Sequence, residues 1–165
     1  MKGSNLFYIA VTATVLLSCS VVSHGGSRGA AADPTVRAAK YYPTPERATF
    51  LYTEGLKNSL MHGDPRRSAA LFGEVLKLDS PHAPTYYESA NLFAQTPQQA
   101  IPYSRNALRL DSANTWYLTQ LGQLYLGTKA YDSALRVYNK LLKLAPGNPD
   151  NYVRLAALYE QQGQP

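Results

Sequence analysis

Thr115 to Asn148 (TWYLTQLGQLYLGTKAYDSALRVYNKLLKLAPGN) is a 34-residue stretch whose apolar and small residues recur at helical spacing. Counted from Thr115 as position 1, Leu118, Leu121, Gly122 and Tyr125 fall at positions 4, 7, 8 and 11. Tyr131, Ala134, Tyr138, Leu141 and Pro146 fall at 17, 20, 24, 27 and 32. Steps of three and four residues put each set on one face of an α-helix. Small residues at 8 and 20, Gly122 and Ala134, allow two helix backbones to approach closely. Pro146 cannot continue a helix and begins the next connection. The pattern predicts two antiparallel helices joined by a short turn.

These residues resemble the tetratricopeptide repeat, a helix–turn–helix unit with a 34-residue period. The resemblance implies an all-α solenoid of stacked hairpins, because one hairpin cannot bury its apolar face alone. It also implies a protein- or peptide-binding surface. The pattern extends in both directions, over about Arg47 to Gln164, giving roughly three and a half repeats. A first hairpin occupies about 46–80. Gly63, Ser68, Phe72 and Val75 match positions 15, 20, 24 and 27, while Tyr52, Gly55, Leu56 and Ser59 are taken for 4, 7, 8 and 11. A second runs over 83–112, with Tyr86, Ala90 and Phe93 at 4, 8 and 11 and Ala100, Ser104 and Ala107 at 20, 24 and 27. Its inter-helix turn is two residues short of the consensus, and Pro97 starts its second helix. Pro102 lies within that helix's first turns and predicts an irregular start. After the complete hairpin at 115–148, residues 149–165 repeat a first half, with Tyr152, Leu155, Ala156 and Tyr159 at 4, 7, 8 and 11. A chain continuing into further repeats and one ending in a lone capping helix are both open.

The N-terminus has a different character. Lys2 precedes the 12-residue apolar run Leu6–Leu17, too short for a free-standing bilayer span of ~20 residues and suited to a signal-peptide core. Leu16, Ser18 and Cys19, the one cysteine, resemble the bacterial lipoprotein lipobox. That family attaches a diacylglyceryl group to the cysteine thiol and cleaves before it. The resemblance implies a signal peptide at 1–18, lipidation at Cys19 and a membrane contact through the lipid. Ser20 stands where enteric inner-membrane lipoproteins carry Asp, which favours the outer membrane. The absence of an acidic run after Cys19 favours a periplasm-facing anchor. An ordinary secretory signal with an incidental cysteine is the alternative. Residues 19–45 read as a flexible linker, with Gly25, Gly26 and Gly29 and with Pro34, Pro43 and Pro45 against helix. Thr44-Pro45 reads as a helix start, Thr at the N-cap and Pro at N1.

Composition narrows the function. The net charge of +5 comes from basic residues dispersed along the sequence, with only Arg66 and Arg67 adjacent, so a clustered stripe for nucleic acid is not expected. His24, His62 and His82 have no second ligand at metal spacing. No nucleophile elbow and no phosphate-cradling glycine loop is found. The expectation is therefore a non-enzymatic protein without cofactor or metal. The 13 tyrosines, at positions such as 11, 17 and 24, are chiefly core residues.

In the resembled family the ligand surface is lined by first-helix positions 2, 5, 9, 12 and 13. In the complete repeat these are Trp116, Thr119, Gln123, Leu126 and Gly127. In the following half-repeat they are Asp150, Val153, Ala157, Glu160 and Gln161. Trp116, the one tryptophan, is the leading candidate, since Trp is enriched at binding hot spots. Thr119 and Gln123 replace the Lys and Asn of the members that clamp a C-terminal carboxylate, so that mode is not supported. The expected function is a lipid-anchored scaffold that helps assemble or recruit a complex in the bacterial envelope. The alternative is an accessory repeat region of a larger enzyme, or of a polymer- or carbohydrate-binding lipoprotein, with the functional domain beyond Pro165.

Overall fold

A computed structural model describes residues 33–78 and 81–163. The apolar run, Cys19 and the Gly-rich part of the linker lie outside these residues. Among the described residues there are eight helices and no strand: α1 (Pro34–Ala39), α2 (Thr44–Leu60), α3 (Pro65–Leu76), α4 (Ala83–Leu92), α5 (Pro97–Leu110), α6 (Thr115–Gly127), α7 (Tyr131–Leu144) and α8 (Pro149–Gln161). None is long and apolar enough to cross a membrane.

Local sequence explains the helix starts. Proline occupies the first or second position of α1, α2, α3, α4, α5 and α8, where its missing N–H removes no helical bond. Asp33, Asp64, His82, Asn114 and Asn148 each accept a hydrogen bond from a backbone N–H of the first turn. Helix α2 begins one residue earlier than Thr44-Pro45 suggested, with Pro43 at the cap. Pro102 does not disturb the start of α5, which runs unbroken from Pro97.

The helices pair in order: α2 with α3, α4 with α5, α6 with α7, while α8 packs on α7. Each first helix uses two faces. In α6, Leu118, Leu121 and Gly122 turn toward α7, meeting Ala134, Tyr138 and Leu141, all buried. The Tyr138 ring lies where a Cβ on Gly122 would be, so the glycine sets the closeness of the two helices. The same arrangement recurs in the first hairpin, where the Phe72 ring fills the space a Cβ on Gly55 would need.

That contact corrects the alignment of α2. Gly55, not Leu56, is the counterpart of Gly122, so Leu51 rather than Tyr52 holds position 4 and Asn58 rather than Ser59 holds 11. Leu51, Gly55 and Asn58 are buried, whereas Tyr52, Leu56 and Ser59 are half-buried. Gly63 keeps its turn role at φ 59°, like Lys129 at φ 57° in the complete hairpin. One residue is therefore inserted between α2 and the turn. In the second hairpin Ala90, Ala100, Ser104 and Ala107 are buried as the two-residue deletion requires.

The other face of each first helix packs back on the preceding hairpin. Gln120 of α6 is the clearest case. Its Oε1 accepts from the buried Ser104 hydroxyl of α5. Its Nε2 donates to Tyr87 O at 3.1 Å and to Asn91 Oδ1 at 2.6 Å, both on α4. One side chain thus ties three helices. Tyr117 stacks near Tyr87 on the same face.

The linker ends sooner than residue 45. Val36 and Ala39, three residues apart on α1, are buried against Ala48, Leu51, Leu71 and Val75. Asp33 caps α1 through Thr35 N at 2.8 Å and pairs with Arg67 Nε of α3 at 3.1 Å. Burial raises the Asp33 carboxyl pKa, but the Thr35 hydrogen bonds and Arg67 outweigh it and hold the group below its ordinary value. Three prolines obscured a helix that starts on one of them.

Two outcomes follow. Gly122→Val forces a branched side chain into the Tyr138 ring and should cost about 1–3 kcal/mol in denaturant unfolding, whereas the same change at Gly147, with open space around it, should cost far less. The second concerns pH. His82 Nδ1 caps α4, accepting from Thr85 N at 3.3 Å, and its ring meets Tyr52 edge-on. Burial lowers its pKa below 6.5. The folded state favours the neutral ring, so this stability is full above pH 6.5 and is lost as pH falls through the folded pKa. Melting temperature should drop across that window, and His82→Asn, which keeps an acceptor at the cap, should flatten the drop. The Asp33 contribution is lost only below 3.8 and is separable.

Candidate functional site

A cleft of about 170 Å³ opens where α6, the end of α7 and the start of α8 meet. Trp116 and Thr119 form one wall, Asp150 and Arg154 the other, and Leu141 and Ala145 contribute apolar surface between them. Trp116 is 73% exposed. It belongs to the first turn of α6, which Asn114 holds: Asn114 Oδ1 accepts from Trp116 N at 3.1 Å and Tyr117 N at 3.4 Å. The ring therefore projects from a fixed backbone.

The opposite wall is fixed in a similar way. Asn148 Oδ1 accepts from Asp150 N at 3.0 Å. Asn151, 2% exposed, donates from Nδ2 to Ala145 O at 3.1 Å, fastening α8 to the end of α7. Neither Asp150 nor Arg154 belongs to an ion pair among the described residues, where the pairs are Lys57–Glu54, Arg67–Asp33 and Lys77–Glu74. Burial raises the pKa of the Tyr138 hydroxyl, and the Arg154 charge offsets only part of that rise. The cleft thus offers one aromatic face, one cation and one anion, all able to meet a ligand.

The sequence candidates divide accordingly. Trp116, Thr119 and Asp150 come together in the cleft. Gln123, exposed, continues their line along α6, since 116, 119 and 123 share a face. Leu126 lies on that face but packs against the core around Leu118 and Tyr138. Val153 and Glu160 are exposed on α8 outside the cleft lining. Arg154 was not singled out from sequence. Its signal was present, as a lone cation one turn after Asp150, but position 6 is a stacking position in α6, where Gln120 fills it.

No group of three or more His, Cys, Asp or Glu side chains that could hold a metal occurs among the described residues. His82 is engaged at its cap and His62 is exposed. The site's chemistry is that of recognition by an aromatic surface and separate charges.

Residues 115–158 match the family model described as tetratricopeptide repeat, which covers α6, α7 and most of α8. A comparison with curated proteins finds no match. Among solved structures, the fold is similar to the TPR domain of Arabidopsis OM64, at 20% identity and a TM-score of 0.63, over 72% of this chain and 98% of that one. It is similar to MamA from Desulfovibrio magneticus RS-1, at 21% identity and 0.63, over 78% and 74%. It is also similar to the first TPR of Spaghetti (RPAP3) bound to the HSP90 peptide SRMEEVD, at 16% identity and 0.65, over 72% and 95%. The described residues form an α-solenoid of the tetratricopeptide type.

The exposure of Trp116 makes a direct statement about stability. Trp116→Ala should leave the unfolding free energy within about 0.5 kcal/mol of the parent, whereas Asn151→Ala, which strips the α7–α8 fastening, should lower it by about 1–3 kcal/mol in the same denaturant titration.

Proposed function

We propose that this protein is a lipid-anchored scaffold of a bacterial envelope that holds a protein or peptide partner on the α6–α8 face. The observation that carries the reading is Trp116: a large aromatic ring left in solvent on a rigid first turn, beside unpaired Asp150 and Arg154. An exposed aromatic anchor with charged neighbours is the composition of a binding hot spot. The similar structure that carries a bound peptide supports a peptide as ligand class. The partner's side of the contact would place an apolar side chain on the Trp116 ring and oppositely charged groups at Asp150 and Arg154.

The anchor rests on Leu16, Ser18 and Cys19 after the apolar run. Two acyl chains or more would hold the chain stably where one would bind reversibly. With Ser20 after the cysteine, the outer membrane facing the periplasm is the proposed location.

Two measurements separate the two halves of this proposal. A photo-cross-linker at position 116 should capture one discrete partner in cells, and capture should fall at least ~tenfold in an Arg154→Glu background. A well-folded protein that captures nothing from position 116 removes the groove. For the anchor, Cys19→Ala or globomycin should block processing and release the chain from the membrane fraction. Unchanged processing and fractionation remove the lipid.

A further inference from the structure

A second cavity stands apart from the Trp116 cleft. A cavity of about 370 Å³ lies between α5, α6 and α7. Its floor is apolar, with Leu118 and Leu121 at 2% and 5% exposure beneath Leu108 and Val137. Its rim is cationic: Arg105 and Arg109 on α5 face Arg136 and Lys140 on α7. Each pair is spaced i, i+4, so each presents two cations on one side of its helix. No Asp or Glu lines the cavity, and none of the four cations is ion-paired among the described residues. Arg136 Nη2 donates to Ser133 Oγ at 2.9 Å, which steadies one guanidinium at the rim. Leu118, Leu121 and Tyr125 lie on the face of α6 opposite Trp116, Thr119 and Gln123, so this cavity and the partner cleft are separate.

Four like charges gathered around an apolar pocket repel one another unless an anion sits among them. The apolar floor asks for more than an ion. It also disfavours a peptide. Apart from Ser133 and the Tyr125 hydroxyl the lining offers no side-chain acceptor for peptide N–H groups.

We propose that this cavity binds a small amphiphilic anion, an aliphatic chain carrying a phosphate or carboxylate head. The chain lies over Leu118, Leu121 and Val137, and the head is held by Arg105 and Arg136, whose planar forks suit such oxyanions. Arg109 and Lys140 add attraction at the mouth. The head-group source is distinguished by comparing octyl phosphate with octanoate.

The test is calorimetric titration of the full chain with octyl phosphate below its micelle concentration, beside octanoate, inorganic phosphate and octyl glucoside. Octyl phosphate or octanoate should bind at least ~tenfold more tightly than inorganic phosphate or octyl glucoside, and binding should weaken with added salt. The R105Q/R136Q variant should lose roughly tenfold or more in affinity. The R109E/K140E variant, altered only at exposed rim positions, should do the same and serves if the first variant folds poorly by circular dichroism. Binding that is absent, equal for inorganic phosphate and octyl phosphate, or unchanged in both variants overturns the proposal. Retained partner capture at position 116 in these variants shows that the two sites are independent.

Discussion

Close approach of paired helices is the constraint on which the rest of this structure depends. In two hairpins it is set by a glycine facing an aromatic ring: Gly55 with Phe72 and Gly122 with Tyr138. The ring occupies the volume that any other residue's Cβ would take, so sterics set the helix separation; in the first hairpin the buried Ser68 hydroxyl also donates across the pair to Gly55 O at 2.9 Å. Once the distance is fixed, positions 4, 7 and 11 fall between the helices and positions 3, 6 and 10 turn to the preceding hairpin. In the second hairpin Ala90 and Ser104 replace the glycine–aromatic pair. Less volume fills that interface, and Gln120 enters from the next hairpin to satisfy Ser104, Tyr87 and Asn91. A buried polar side chain with all its bonds made specifies register as well as strength.

The two cavities follow from the same geometry. Stacking α6 between neighbours leaves one of its faces free beside α8 and the other above α5 and α7. The first carries an aromatic ring with charges of both signs; the second carries only cations over leucines. If both proposals hold, two faces of such different chemistry take two kinds of ligand.

Much of this was legible in the sequence where residue size alone decides. The complete hairpin could be read to the residue because Leu118, Gly122, Ala134, Tyr138 and Leu141 are each of the size their place requires. Pro45 and Pro97 read as helix starts, since proline's missing N–H is harmless in a first turn, whereas Pro34 reads as linker and Pro102 as a disturbance that α5 does not show. The reading failed where two alignments share the same composition. In α2, Tyr52 and Leu51 are both apolar, and only the contact of Gly55 with Phe72 shows which faces inward. It failed also at α1, where three nearby prolines suggested a linker and the packing of Val36 and Ala39 supplied the helix. Gln120 and Arg154 were passed over because the pattern assigns position 6 no chemistry of its own. Cys19 and the apolar run lie outside the described residues, so the anchor stands on its sequence.

The central claim is that a glycine–ring contact sets hairpin geometry, and through it the place of both cavities. The most direct measurement is a set of nuclear Overhauser effects in an isotope-labelled sample of residues 33–163 or longer. The account predicts strong cross-peaks from the Gly122 Hα protons to the Tyr138 ring and from the Gly55 Hα protons to the Phe72 ring, with none from Leu56 Hα to Phe72. Cross-peaks from Leu56 in place of Gly55, or their absence at Gly122, would contradict the alignment and the packing that rests on it.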